Sequence, residues 1–236
     1  MNTYPSTTES SSRGEKRRTF PVGATVGIPI GNVTLTGDLV IPEDATGLVL
    51  FAHGSGSSRH SPRNQSVARV VRAAGSGTLL FDLLTPDEEA AEAYTRHLRF
   101  NIPLLAGRLA AATRWLSSHA EAQQLPMGYF GSSTGGAAAL VAAAELGPRI
   151  RAVVSRGGRP DLAGEALSRV QAPTLLIVGE RDKQVLRLNE EAYALLSCEK
   201  KLETVRRATH LFEEPGTLEE VSRLAADWFQ KHLEVR

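Results

Sequence analysis

Short apolar runs alternate with amphipathic stretches along most of the chain. "ATVGIPIG" and "VTLTGDLVIP" read as two antiparallel strands joined by a tight turn at Gly31-Asn32. "GLVLFAHG" is continuously apolar, as expected of a strand buried on both faces. "GTLLFDLL", "PMGYFGS", "IRAVVSRGG", "APTLLIVGERD" and "KKLETVRRATH" repeat that theme. Helices lie between them. In "NIPLLAGRLAAATRWLSSH", Ile102, Leu105, Leu109, Ala112 and Leu116 recur at steps of three and four and form one apolar stripe. Leu218, Val221, Leu224 and Trp228 do the same in the closing segment.

Strands alternating with helices imply βαβ units, hence an α/β fold with a mostly parallel sheet covered on both sides. The opening pair of strands is expected to form an antiparallel edge. Residues 21–236 read as one domain, with no internal repeat and no linker. Residues 1–20 are polar and Ser/Thr-rich, and disorder is expected there.

Composition narrows the classes. A chain of 236 residues with 42% hydrophobic residues can bury a large core. The formal net charge of +1 gives no argument for nucleic acid, and "RGEKRR" reads as part of a solvated tail. Cys198 is the only cysteine, so an internal disulfide is excluded and a reducing compartment fits. Cys198 reads as a packing residue near a helix end. The first residues lack the apolar core of a signal peptide, and no run is long enough to span a bilayer. A cytoplasmic protein without membrane attachment is expected.

The candidate chemistry begins at "GYFGSSTGGAAAL", residues 128–140. A strand precedes "GSSTG" and an alanine-rich helix follows it. A nucleophile on such a turn must project above the sheet edge on a strained backbone. Its neighbours two positions away must then lack side chains, or strand and helix collide. Ser133 has Gly131 and Gly135 there; Ser132 has Phe130 and Thr134. Ser133 is therefore the candidate nucleophile of a G-x-S-x-G elbow.

A serine hydroxyl needs a base, and the base needs an orienting acid. On this kind of fold they follow in the order Ser, Asp/Glu, His. Asp182, just past the strand "TLLIVG", and His210, just past the last strand, occupy the same sheet edge as Ser133. Glu180 is the alternative acid. His97, His119 and His232 read as capping or exposed residues, and Asp161 and Glu165 as surface charge. Two backbone N–H groups should stabilise the oxyanion. Thr134 is one candidate donor and Ser55, in "HGSGSS", the other, with Gly54 and Gly56 as alternatives. His53 is expected to brace that loop. Arg59, Arg63, Arg156 and Arg159 cluster near these residues in sequence, and Arg59 and Arg156 are candidates to bind a substrate carboxylate.

"AHGSGSS", "GSSTGG", "GERD" and "ATHLFEEPG", in that order, resemble an α/β-hydrolase of the dienelactone-hydrolase-like branch over roughly residues 25–235. The resemblance implies esterase, thioesterase or lactonase activity on a small-molecule ester, with no cofactor and no metal. One departure matters: dienelactone hydrolases proper use a cysteine nucleophile, and the elbow here carries Ser133. Only "RPDLAGEALSRVQ" separates the two strands between which many relatives insert a cap, so no large cap domain is expected.

Other classes fit less well. "GSGSSR" has Arg59 where a dinucleotide fingerprint needs its third glycine, and no phosphate-loop or H-E-x-x-H motif is present. An inactive hydrolase-fold binding or scaffolding protein is the alternative from a different class.

Overall fold

A computed structural model describes residues 23–95 and 97–234; the polar segment 1–20, expected to be disordered, lies outside the described residues. All eight expected strands form and join one sheet. They are β1 (Ala24–Ile30), β2 (Val33–Val40), β3 (Gly47–Ala52), β4 (Ser76–Phe81), β5 (Met127–Ser132), β6 (Ile150–Arg156), β7 (Thr174–Gly179) and β8 (Lys200–Val205). Their spatial order is β1-β2-β4-β3-β5-β6-β7-β8.

The antiparallel edge forms as expected. β1 and β2 pair with Ile30 opposite Val33 across Gly31-Asn32, where Gly31 takes φ +57°, a hairpin-turn geometry that glycine adopts without strain. β2 also runs antiparallel to β4, and every later pairing is parallel.

Alternation along each buried strand builds two cores. In β3, Leu48, Leu50 and Ala52 face one cluster while Val49 and Phe51 face the other. The first cluster is closed by α3 (Ile102–Ser117) and α4 (Thr134–Leu146), together with Ala192 of α5 (Lys183–Leu195). The second is closed by α1 (Pro62–Ala73) and α6 (Thr217–Leu233). The stripe Ile102, Leu105, Leu109, Ala112 and Leu116 is buried throughout, each large member worth about 1.5–3 kcal/mol of transfer free energy. Asn101 starts α3 by accepting the Leu104 N–H at 3.1 Å.

Between β6 and β7 the chain makes only a 3₁₀ segment, Pro160–Arg169, kinked at Gly164. Among the described residues there is no large cap. The longer excursion lies elsewhere, between β4 and α3. It comprises α2 (Pro86–Thr95) and a 3₁₀ turn at Leu98–Phe100. Cys198 lies just past α5, half-buried, its Sγ 3.7 Å from Thr174 Oγ1.

Candidate active site

Ser133 sits where β5 meets α4, with φ +52° and ψ −123°. Few non-glycine residues tolerate such a backbone, and such strain concentrates at functional turns. The sequence explains how it is held. A Cβ at Gly131 would lie 2.6 Å from the Gly136 Cα, and one at Gly135 2.6 Å from the His53 carbonyl oxygen. Neither position has room for a side chain, so β3, β5 and α4 meet at backbone distance. Ser132 is buried, whereas Ser133 is partly exposed at the apex.

The Asp182 carboxylate holds His210: Oδ2 lies 2.6 Å from Nδ1. Asp182 occupies the N-cap position of α5, yet its side chain makes no capping bond there and remains available to the imidazole. Glu180 is engaged differently. Its Oε2 accepts the Arg207 N–H at 2.7 Å, which pulls its pKa below the usual carboxylate range. Of the two acids left open by the sequence, Asp182 is therefore the one in contact with the histidine.

Ser133 and His210 each lie against the end of β6. The Ser133 N–H donates to the Arg156 carbonyl at 3.3 Å. The next residue, Gly157, lies against the His210 segment: a Cβ there would be 3.2 Å from the His210 carbonyl oxygen and 3.6 Å from Cε1. No hydrogen bond joins the Ser133 hydroxyl to His210 among the described residues; such bonds commonly tighten only when substrate fills the site.

The loop after β3 packs against the same turn. A Cβ at Gly54 would lie 2.9 Å from Ser133 Cβ. Ser55 Oγ lies 3.3 Å from Thr134 Oγ1 and donates to the Arg99 carbonyl at 3.4 Å, so the side chains of the two residues expected to supply the oxyanion donors are in contact. His53 braces the loop, as its sequence position suggested. Its Nε2 accepts the Leu83 N–H at 2.9 Å, so the ring proton must be on Nδ1, which donates to the Gly54 carbonyl at 3.0 Å. Burial lowers its pKa, against smaller opposing effects from Gly54, Asp82 and Glu89.

The four arginines separate clearly. Arg59 is paired with Asp82 and lies 3.3 Å from Asp38, and Arg159 forks onto Asp161 at 2.9 and 2.7 Å. Arg63 reaches Glu213 at 3.4 Å. Arg156 is 7% exposed, and its Nε and Nη1 have no acceptor among the described residues. An open hollow of about 400 Å³ lies beside the loop, lined by His53, Arg59, Asp82 and Glu89, and includes neither Ser133 nor His210 in its wall.

Sequence reading missed one support. Glu92 is fully buried and accepts Arg99 Nε at 2.9 Å and the Leu98 N–H at 2.8 Å, fixing the turn whose carbonyl meets Ser55. Nothing local marks Glu92; only the fold brings it beneath that turn. His97 is exposed, His119 bonds the Trp115 carbonyl, and His232 packs against Trp228 with its ring tilted by 54°, so none joins the site.

Comparison with known proteins places this arrangement in context. The family model described as "Alpha/beta hydrolase domain" matches residues 45–226. A crystallised dienelactone hydrolase from Anabaena variabilis is 57% identical, covers 91% of this chain and 99% of its own, and superposes with a TM-score of 0.89. Est1E from Butyrivibrio proteoclasticus, 16% identical, shares the fold with a TM-score of 0.74 over 89% of this chain and 98% of its own. Two Mycobacterium tuberculosis proteins with provisional phosphoribosyl transferase names are 57% identical over 208 residues, 88% of this chain. The chain spans 46% of their length.

Proposed function

The chain belongs to the alpha/beta hydrolase family and has a dienelactone-hydrolase-like fold; from that premise we propose that it is a serine hydrolase of small carboxylic esters. The observation that carries the reading is the 2.6 Å contact between His210 Nδ1 and Asp182, beside a serine held at positive φ on a glycine-flanked turn.

In this reading Ser133 Oγ attacks the acyl carbon and His210 Nε2 takes its proton. Asp182 keeps the other ring proton on Nδ1 and stabilises the imidazolium that forms. The N–H groups of Thr134 and Ser55 receive the developing oxyanion, and losing one such donor costs roughly 10²–10³ in rate. His210 then protonates the leaving alcohol. Water, deprotonated by the same imidazole, cleaves the acyl-enzyme and restores Ser133. The three residues supply this chemistry without a cofactor. With only a short 3₁₀ segment between β6 and β7, the site is open and suits small or loosely held esters.

The phosphoribosyl transferase names belong to proteins more than twice as long as the matched segment and do not carry over to it. Labelling by a fluorophosphonate probe, followed by intact mass, tests the reading. The wild type is expected to gain one adduct and Ser133→Ala none. Full labelling of that variant would refute Ser133 as nucleophile. A wild type inert to the probe and to 4-nitrophenyl esters, thioesters and lactones would instead favour a binding protein that keeps the fold without its chemistry.

A further inference from the structure

The excursion between β4 and α3 reaches the loop after β3 through Arg99. The Arg99 carbonyl can only accept, so Ser55 Oγ donates to it at 3.4 Å and accepts in turn from the Thr134 hydroxyl at 3.3 Å. One directed chain, Thr134 to Ser55 to Arg99, therefore ties together the two residues whose N–H groups are the proposed oxyanion donors. The Arg99 side chain lies on the same loop: a Cβ at Gly56 would be 3.7 Å from its Nη1.

Glu92 decides where Arg99 sits. It is fully buried on α2, whose Glu89, Ala90, Ala91 and Tyr94 are exposed. Oε1 accepts the Leu98 N–H at 2.8 Å, and Oε2 accepts the Arg99 N–H at 3.0 Å and Arg99 Nε at 2.9 Å. Arg99 Nη2 returns to the Glu92 carbonyl at 3.1 Å. Burying a carboxylate is costly unless it is paired and hydrogen-bonded, and an apolar residue would anchor a surface helix without that cost. What the carboxylate adds is direction. Three N–H groups aimed at two oxygens fix the Leu98–Arg99 backbone where apolar contact would let it slide. Four residues earlier, Glu88 accepts Arg108 Nη1 and Nη2 of α3, both at 2.6 Å, so α2 has a second anchor independent of Glu92.

We propose that Glu92 is a positioning residue for the oxyanion donors: by fixing Arg99 it sets, through the link between Ser55 and Thr134, where their N–H groups sit beside Ser133. The inference rests on the ester-hydrolase reading and adds to it a residue that touches no substrate. Small displacements matter here, because oxyanion donors act at hydrogen-bond distance on charge that develops only in the transition state.

The test is a double-mutant cycle on 4-nitrophenyl butyrate. In Glu92→Gln the amide turns a donor toward N–H groups that need an acceptor. Its kcat is expected to fall about 10–100-fold with KM nearly unchanged, short of the roughly 10²–10³ that follows loss of a donor outright. Ser55→Ala keeps the N–H and cuts the link; its kcat is expected to fall into the same range, and adding Glu92→Gln to it to lower kcat less than about threefold further. Losses that multiply in the double variant, or a raised KM with kcat unchanged, give Glu92 a general structural role and overturn the inference. Should Glu92→Gln not fold, Arg99→Lys, which keeps the charge and loses the Nε and Nη2 bonds together, takes its place in the cycle with the same two outcomes.

A trifluoromethyl ketone supplies a second readout. Ser133 Oγ adds to its carbonyl carbon, the serine proton passes to His210, and the carbonyl oxygen becomes the oxyanion. Its inhibition constant is expected to rise in Glu92→Gln by the factor lost in kcat/KM, and an unchanged constant overturns the inference. A dead Ser133→Ala beside Glu92 and Ser55 variants of full activity removes Glu92 from the account and leaves the hydrolase reading standing. A wild type inert to both the ester and the ketone removes the two together.

Discussion

Asp182 and His210 come from loops after different strands, β7 and β8, and meet at 2.6 Å between Oδ2 and Nδ1. Parallel pairing of β7 with β8 brings the two loops to one edge, with Gly179 opposite Val205. A carboxylate on Nδ1 leaves Nε2 free to accept a proton, which is the tautomer a base toward Ser133 requires.

Asp182→Asn is expected to lower kcat about 10³–10⁴-fold with little change in KM, since the amide favours the wrong tautomer. Glu180→Gln should leave kcat/KM near wild type, because Glu180 holds the Arg207 N–H and not the imidazole. Steady-state kinetics on one activated ester checks both, and a larger loss in the Glu180 variant would reverse the assignment.

Gly135→Ala is expected to cost about 3 kcal/mol or more. The added methyl would press on the backbone carbonyls of Ala52 and His53, which cannot turn aside as a flexible side chain would. Urea unfolding measures the loss; a variant as stable as wild type would mean that β3 and α4 separate freely.

Stability should fall as pH drops from 7 toward 5, in part through His53. Burial lowers its folded pKa below the unfolded value, so the unfolded chain binds the extra proton first. The stabilisation is complete above the unfolded pKa and is lost as pH falls toward the folded one, by at most about 1.4 kcal/mol per pH unit for one proton. Burial also lowers the pKa of His232, which adds slope of the same sign. Thermal midpoints across that range should show a shallower slope in His53→Asn, and an unaltered slope would remove His53 from the account.

Thr113→Val is expected to destabilise by about 1–3 kcal/mol. Thr113 Oγ1 donates to the Leu109 carbonyl and accepts from the fully buried Tyr129 hydroxyl at 2.6 Å, so valine leaves that hydroxyl without a partner. Adding Tyr129→Phe should recover part of the loss. A double variant no more stable than Thr113→Val would show that the hydroxyl finds another partner.

Local rules made much of this molecule readable. A continuous apolar run such as "GLVLFA" has no polar face to turn outward, as expected of an inner strand, and Leu50 and Phe51 are buried on opposite faces accordingly. Gly131 and Gly135 flank Ser133 because strand and helix touch within a few residues, a constraint visible without any distant partner. The spatial order of the strands was not legible. Nothing within β4 states that it lies between β2 and β3, since that choice rests on side-chain packing from both faces of the sheet.

By itself, then, the sequence determined the elements, the elbow at Ser133 and the set of acids, bases and arginines available to it, because backbone sterics and hydrophobic period act over a few residues. Tertiary structure decided which of those groups have partners. It gave His210 to Asp182, left Glu180 with a backbone N–H, locked the His53 tautomer between Leu83 and Gly54, and paired Arg59 with Asp82 while Arg156 Nε and Nη1 have no acceptor among the described residues. Hydrogen bonds and ion pairs act over a few ångströms, so distance in space decides them, and two residues of the same type can differ in their partners for that reason alone.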